Sequence, residues 1–238
     1  MKDTGSIEII ADGEVSPFAG GNIGEIFYKE IIIPPDANNE SQAKRFVIKR
    51  YPRNKIAYLE NSIRAYNQLK SIGVKSLVPF FKKIGRDSIL MSDLNEGGEK
   101  ITFDWNNHVV ISFSENFKKK KLEKKDAGLF IEMLKIATQD VLLASNNGIS
   151  LGIDSFFVSV PFEEGSGLGF DFYIGDLDIL AEKDYRDPET LFTSNINVFA
   201  SAVFIILHKI FLKDEDIKEL RRVMADWIMK EFSLDVNF

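Results

Sequence analysis

Two charged residues on neighbouring predicted elements are the first candidates for chemistry. Lys49 closes the apolar segment Val47-Ile48-Lys49 of a predicted strand, and Glu60 lies eleven residues later, in the second turn of a predicted helix. An ammonium held in a cleft can contact two phosphates of a nucleotide, and a neighbouring carboxylate can hold that ammonium in place. A lone strand lysine is usually a solvated edge residue and a lone helix glutamate is usually exposed, so it is the combination that indicates a phosphate site.

A cluster of glycines lies between the first two predicted strands, at Gly20, Gly21 and Gly24. Glycine lets a backbone turn with positive φ and bring its N–H groups close to a phosphate. The cluster is not a Walker loop, because no Gly-Lys-Ser/Thr follows it and no helix begins there. Taken alone, it favours a plain hairpin turn over a phosphate-binding loop.

Asp176 directly follows the apolar segment 172–175. A carboxylate at the end of such a strand contributes little to packing and is well placed to reach into a cleft. Mg²⁺ takes oxygen ligands and often shares one or two carboxylates with substrate phosphates. A turn aspartate is the simple alternative, and the presence of Lys49 upstream favours the metal role.

The composition excludes several classes of function. The 30 Lys+Arg and 36 Asp+Glu leave a net charge of −6, which argues against a dedicated nucleic-acid binder because phosphate neutralisation needs a concentrated basic surface. The absence of cysteine excludes disulfides, cysteine-ligated zinc and thiol nucleophiles. Two histidines are too few for a multi-histidine metal site within one chain.

No segment predicts membrane insertion or classical secretion. The N-terminus is polar and acidic rather than basic and then apolar. The longest apolar run, 196–207, contains Asn197 and Ser201 and falls short of the roughly 20 residues of a membrane-spanning helix. We expect this run to form a buried helix and the protein to be cytoplasmic, with the reservation that a secretion system reading other signals leaves no mark in this pattern.

The elements that must position these residues divide into two groups. Strands with one helix come first, helices interrupted by a hairpin follow, and the loop at 95–99 marks the boundary. The predicted strands span 6–10, 25–33, 46–51, 78–84, 88–91, 155–160 and 170–174. The predicted helices, with apolar residues at three- and four-residue steps, span 55–71, 126–145, 196–211 and 214–232.

In their order along the chain, these features resemble the motifs of the protein-kinase family. Segment 21–26 is similar to the second half of its glycine-rich loop, with Ala19 at the position of the first glycine. Lys49 ends a segment similar to the Val-Ala-Ile-Lys strand, and Glu60 takes the position of the helix glutamate that pairs with that lysine. Segment 91–94 is similar to the hinge under the adenine.

The resemblance implies an α+β, bilobal protein-kinase-like fold. Its strand-rich N-lobe would span 1–94 and its short helical C-lobe 95–238, with ATP and Mg²⁺ in the cleft between them. The residues implied to bind the nucleotide are Gly20, Gly21, Gly24, Lys49, Asp93 and Leu94.

Two matches lie in the C-terminal half. Segment 173–178 resembles the strand that ends in Asp-Phe-Gly and puts Asp176 at the metal-binding position, with Leu177 for phenylalanine and Asp178 for glycine. Segment 196–201 resembles the start of the family's long buried helix, with Asn197 where the family has aspartate.

The catalytic loop departs from the family pattern His-Arg-Asp-x-x-x-x-Asn, in which the aspartate orients the attacking hydroxyl and the asparagine holds metal. Counted from Gly148, Asp154 falls near the aspartate; counted back from Phe156, it falls near the asparagine. The loop is about three residues shorter than the pattern. The resemblance therefore implies a catalytic and a metal-binding role for Asp154 and leaves open which of them it fills.

The preferred function is transfer of the ATP γ-phosphate to a Ser/Thr hydroxyl of a protein substrate. Lys49, Glu60 and Asp154 are then the catalytic residues, and Asp176 and Asp154 the Mg²⁺ ligands. A pseudokinase that serves as a nucleotide-binding or protein-interaction module is the first alternative, favoured by the altered glycines, the Asp-Leu-Asp triplet and the shortened loop. A small-molecule kinase of the antibiotic-phosphotransferase type is the second alternative.

Overall fold

The computed structural model describes residues 19–20, 25–33, 42–94, 100–104, 109–113, 127–160, 162–163, 167–168, 171–177, 187–210 and 213–236. Within these ranges the protein combines four α-helices with small, mainly antiparallel sheets, so the predicted α+β class is confirmed. Two compact units are distinguished, one made of Met1–Glu60 with Pro79–Asp93 and one of Asn61–Val78 with Leu94–Phe238.

The first unit contains a five-stranded antiparallel sheet in the spatial order β1-β2-β3-β5-β4. Its strands are β1 Ala19–Gly20, β2 Glu25–Ile33, β3 Gln42–Arg50, β4 Phe81–Ile84 and β5 Ser88–Ser92. Strand β3 is the middle strand, paired with β2 on one side and β5 on the other. The strands predicted at 25–33 and 88–91 are confirmed, whereas the strand predicted at 6–10 lies outside the described residues.

The two faces of β3 carry different side chains. One face packs into an apolar cluster formed by Phe46, Ile48, Phe80, Ile84 and Leu90. Within it the rings of Phe46 and Phe80 meet edge to face, with centroids 5.4 Å apart. Because successive side chains of a strand alternate, Val47 and Lys49 point away from this cluster.

Helix α1, Ile56–Ser71, follows β3 after a short 3₁₀ helix at Arg53–Lys55. It is followed by a turn in which Gly73 has a φ of +88°, a left-handed conformation that glycine adopts without strain. The predicted helix at 55–71 and its glycine terminator are therefore confirmed.

The second unit combines helices α2 Ala127–Asn146, α3 Pro188–Ile210 and α4 Asp214–Phe232 with a four-stranded sheet in the order β11-β8-β7-β6. The strands of this sheet are β6 Lys100–Asp104, β7 Val109–Phe113, β8 Phe156–Val160 and β11 Asp171–Ile174, and a separate pair is formed by β9 Phe162–Glu163 and β10 Gly167–Leu168. Strands β7 and β8 run parallel, with α2 between them in sequence; the other neighbours are antiparallel.

The structure departs from the sequence analysis at β6, β7 and the start of α3. The sequence analysis did not predict β6 or β7, although 109–113 is a β-branched and aromatic run typical of a strand. Helix α3 begins at Pro188, eight residues before the predicted start. The early start has a local cause, because Asp187 accepts the Thr190 N–H as an N-cap would and proline suits the first helical position. Hydrogen bonds from the side chain of Thr190 and from its backbone N–H hold the pKa of Asp187 below its ordinary value.

Helix α3 packs into the core of the second unit. The ring of Phe199 contacts Phe156 and Phe172 of the sheet, with centroids 5.3 and 5.4 Å away. Among the described helices, Pro188–His208 is long and apolar enough to cross a membrane, and 56% of its most apolar window is buried inside the fold. A core helix has the same composition, and the aromatic contacts are those expected of one.

Candidate functional site

Lys49 occupies a buried position on the middle strand of the first sheet. Lys49 is only 7% exposed, and its ammonium lies 5.5 Å from the centroid of the Tyr51 ring. Ile89 of β5 pairs with Lys49 of β3 across one strand neighbour and with Lys83 of β4 across the other. Paired residues point to the same face of a sheet, so the two lysines lie on one face. Lys49 is therefore not the solvated edge lysine that an isolated strand lysine usually is.

Glu60 pairs with a different lysine from the one predicted. Its Oε1 forms an ion pair with the Lys83 ammonium, and its side chain is 54% exposed. Lys49 is two strands away from Lys83 on the same face, about 10 Å at the usual strand spacing. The predicted Lys49–Glu60 ion pair is therefore replaced by Lys83–Glu60, an exposed pair that contributes little to stability.

The remaining predicted nucleotide contacts in the first part of the chain are described only in part. Gly20 pairs with Glu25 across β1 and β2, whereas Gly21 and Gly24 lie outside the described residues. Asp93 is buried directly after β5. Leu94 follows it and is partly buried. The roles of these residues in holding a nucleotide stay predictions.

Asp154 and Asp176 lie at one end of the β8–β11 ladder. In that ladder Phe156 pairs with Ile174, and the Gly175 N–H donates to the Ser155 carbonyl at 2.9 Å, which extends the pairing by one residue. Asp154 precedes Ser155 in the short 3₁₀ helix Ile153–Ser155, Asp176 follows Gly175, and both aspartates are partly buried. The structure thus joins the backbone segments that carry two aspartates 22 residues apart in the sequence.

An asparagine of α3 holds the segment that leads to Asp154. The fully buried Asn195 accepts the Leu151 N–H through Oδ1 at 2.9 Å, and its Nδ2 donates to Ser145 Oγ and the Ile149 carbonyl, both at 2.9 Å. Asn197, which the resemblance put at the position of the family's helix aspartate, is exposed. The residue of α3 that makes these contacts is Asn195, two residues earlier. The correspondence with the family's helix stays a prediction.

Helical periodicity carried the information needed to choose between the two asparagines. Asn195 falls on the apolar stripe formed by Leu191, Phe192, Ile196, Phe199 and Val203, all of which are buried. Asn197 falls on the other side of α3. The role of Asn195 was not predicted because the predicted helix began at Ile196, one residue after it.

A second residue missed in the sequence is Asp140, a buried carboxylate of α2. It accepts the Ser76 N–H at 2.7 Å and the Lys75 N–H at 3.1 Å, and so fastens the segment after α1 to α2. Both donors are backbone groups more than 60 residues away in the chain, so no sequence spacing indicates the contact. Its role is to hold the second unit together.

Replacing Asp140 by alanine should lower the free energy of unfolding by about 2 kcal/mol, because two backbone donors lose their acceptor. Asp140→Asn is the matched control: it keeps one carbonyl oxygen and should cost about half as much. Urea unfolding of the three proteins, followed by circular dichroism, measures both values. Equal stability of all three would contradict a fastening role for Asp140.

The donor set at Asp154 and Asp176 fits a hard divalent cation. Within the described ranges, no group of three or more His, Asp or Glu forms a complete metal site. Two carboxylates, supplemented by water and phosphate oxygens, are what Mg²⁺ commonly uses beside a nucleotide. The two aspartates are therefore suited to a metal that is shared with a substrate phosphate.

Comparisons with known proteins provide no further assignment: no protein-family model matches the chain, and no curated protein is significantly similar to it.

Proposed function

We propose that the protein is a bilobal, protein-kinase-like phosphotransferase that binds ATP with Mg²⁺ and transfers the γ-phosphate to a protein hydroxyl. The observation that carries the proposal is the junction between the turn that holds Asp154 and the segment that holds Asp176, where the Gly175 N–H donates to the Ser155 carbonyl and the Ser155 hydroxyl donates to the Asp176 carbonyl. Such a junction keeps the two backbone segments close, as is needed if both carboxylates are to act on one phosphoryl group and its metal. An aspartate that only stabilises a turn would not need a second carboxylate nearby.

The order of the elements in the first unit supports the same proposal. Protein kinases carry the phosphate-binding lysine on the third strand and its glutamate on the helix that follows. Here Lys49 is on β3, α1 comes next, and Glu60 lies in the second turn of α1. Burial of Lys49 agrees with a lysine that acts in a protected site rather than on a sheet edge.

The proposed mechanism is in-line transfer in which the protein positions groups and neutralises charge. Lys49 would contact the α- and β-phosphates, and the backbone N–H groups of Gly20, Gly21 and Gly24 would be the further phosphate donors. Asp176 would hold Mg²⁺, and the ion would supply neutralisation of the phosphate charge. Asp154 would accept a hydrogen bond from the acceptor hydroxyl and orient its oxygen for attack.

A pseudokinase is the second candidate, and the contact between Glu60 and Lys83 favours it. A kinase that transfers phosphate needs the helix glutamate to position the strand lysine. Here that glutamate is engaged by Lys83 and largely exposed. On this alternative the same residues bind the nucleotide, and no phosphate is transferred.

Calorimetry with Mg·ATP tests the proposal through Lys49 and Lys83, which share one face of one sheet. Lys49→Ala should weaken nucleotide binding by about tenfold or more, because one charge-assisted contact to phosphate is lost. Lys83→Ala is the matched control and should bind Mg·ATP as the parent protein does. Far-UV circular dichroism checks that both variants are folded.

The outcomes separate the candidates. If the protein binds Mg·ATP but transfers no phosphate to a protein hydroxyl, the pseudokinase would replace the phosphotransferase as the proposed function. No heat and no thermal stabilisation at millimolar Mg·ATP would overturn both. Equal effects of the two lysine substitutions would remove Lys49 from the proposed site.

A further inference from the structure

Ser155 joins the two segments that carry Asp154 and Asp176. Its hydroxyl accepts the Gly152 N–H and donates to the Asp176 carbonyl, each at 3.2 Å. Its backbone N–H donates to the Gly152 carbonyl at 3.1 Å, and its own carbonyl accepts the Gly175 N–H at 2.9 Å. Ser155 is only 1% exposed. Its two hydrogen bonds with Gly152 stay within the turn at 152–155, and its two hydrogen bonds with Gly175 and Asp176 form a buried connection from that turn to the segment after β11.

Two glycines flank this connection. A Cβ atom at Gly175 would lie 2.7 Å from Val78 Cγ2 and 2.9 Å from Phe157 Cε2, so a side chain there would displace these neighbours of the segment that leads to Asp176. A Cβ atom at Gly152 would lie 2.6 Å from Asp154 Oδ1, so the Asp154 carboxylate lies close to the backbone of its own turn. Glycine at both positions leaves this arrangement undisturbed.

We propose that Ser155 is a positioning residue that holds Asp154 and Asp176 in register for one divalent cation; this inference rests on the proposed function. Two carboxylates that are to share one cation repel each other before it binds, so their backbones must be held in place. The Ser155 hydroxyl supplies that constraint, since it is bonded to the backbone of both segments. Loss of a group that orients metal ligands typically lowers metal affinity by about 10- to 100-fold.

Manganese is the probe for the test, because its free ion is measured directly by electron paramagnetic resonance. In the presence of ATP, Ser155→Ala should raise the dissociation constant for Mn²⁺ by about tenfold or more, as expected for loss of an orienting group. Ser155→Thr keeps the hydroxyl and should restore affinity close to that of the parent. Thr138→Val is the matched control, because it removes another buried hydroxyl that bonds only within α2.

Amide hydrogen exchange gives a second measurement that needs no variant. The N–H groups of Gly152 and Gly175 both donate to Ser155. Binding of Mn²⁺ with ATP should slow exchange at both glycines together. Unchanged exchange at both sites in a protein that binds the metal would overturn the positioning role.

The outcomes distinguish this inference from the proposed function. A parent protein that binds no Mn²⁺ with ATP overturns the proposed function, and the role of Ser155 with it. A parent that binds Mn²⁺ while Ser155→Ala binds it equally well overturns the role of Ser155 alone. The same is true if Thr138→Val weakens binding as much as Ser155→Ala, since the effect would then come from general loss of packing.

Discussion

Replacing Asn195 by alanine should destabilise the protein by about 4 kcal/mol, because Leu151 N–H and the Ile149 carbonyl would be left buried without the side chain that satisfies them. The hydroxyl of Ser145 would lose the same partner. This is the largest stability effect we expect from a polar substitution, since one amide serves three groups. Chemical denaturation followed by far-UV circular dichroism measures it.

Asn197→Ala is the matched control for this experiment. Asn197 lies two residues away on the same helix and is exposed, so the same substitution should change stability by less than about 0.5 kcal/mol. If the two variants lose similar stability, α3 does not hold the 145–151 segment through Asn195. The comparison also decides between the asparagine that the sequence indicated and the one that the structure indicates.

Asp176→Asn should abolish phosphate transfer, with a loss of about 10²-fold or more, and should weaken Mg²⁺-dependent ATP binding. The substitution keeps the size and shape of the side chain and removes the charge that we propose holds the metal. Stability should change little, because Ser155 bonds the backbone carbonyl of Asp176, which the substitution leaves in place. Isothermal titration with ATP in the presence and absence of Mg²⁺ measures the metal-dependent part directly.

Asp171→Asn supplies the control for the charge change. Asp171 is an exposed residue of the same strand, β11, so the protein loses an equal charge at a site away from the ladder end. This variant should bind Mg·ATP like the parent. Binding by Asp176→Asn that equals the binding by Asp171→Asn would contradict the metal assignment.

The pairing of Glu60 with Lys83 bears on whether the described conformation could carry out the proposed phosphate transfer. Lys83 and Lys49 lie in one row of the first sheet, with Ile89 between them. Lys49 was predicted to pair with Glu60 because it lies on the strand that precedes the helix. Strand β4 comes after the helix in the chain and lies beside β5, which separates it from β3, so it brings a second lysine to the same face of the sheet.

Local patterns were sufficient to predict most helices and the order of the elements. The three- and four-residue apolar spacing predicted α1, α2 and α4 to within one residue at each end. Such spacing depends on neighbours within one or two turns, and those neighbours are in the sequence. Strands β6 and β7 were not predicted: 109–113 has the composition of a strand, but so short a run becomes a stable strand only when partners elsewhere in the chain pair with it.

By itself, the sequence determined which residues have charges suited to phosphate or magnesium, and it predicted on which kind of element two of them lie. Lys49 lies on a strand before a helix, and Asp176 follows an apolar strand, as local pattern alone indicated. Only the tertiary structure decided which groups meet. Asn195 bonds Leu151 across 44 residues, and Ser155 bonds Asp176 across 21. Local periodicity carries no information about contacts at that separation, because they form when whole elements pack against each other and their unpaired polar groups find partners.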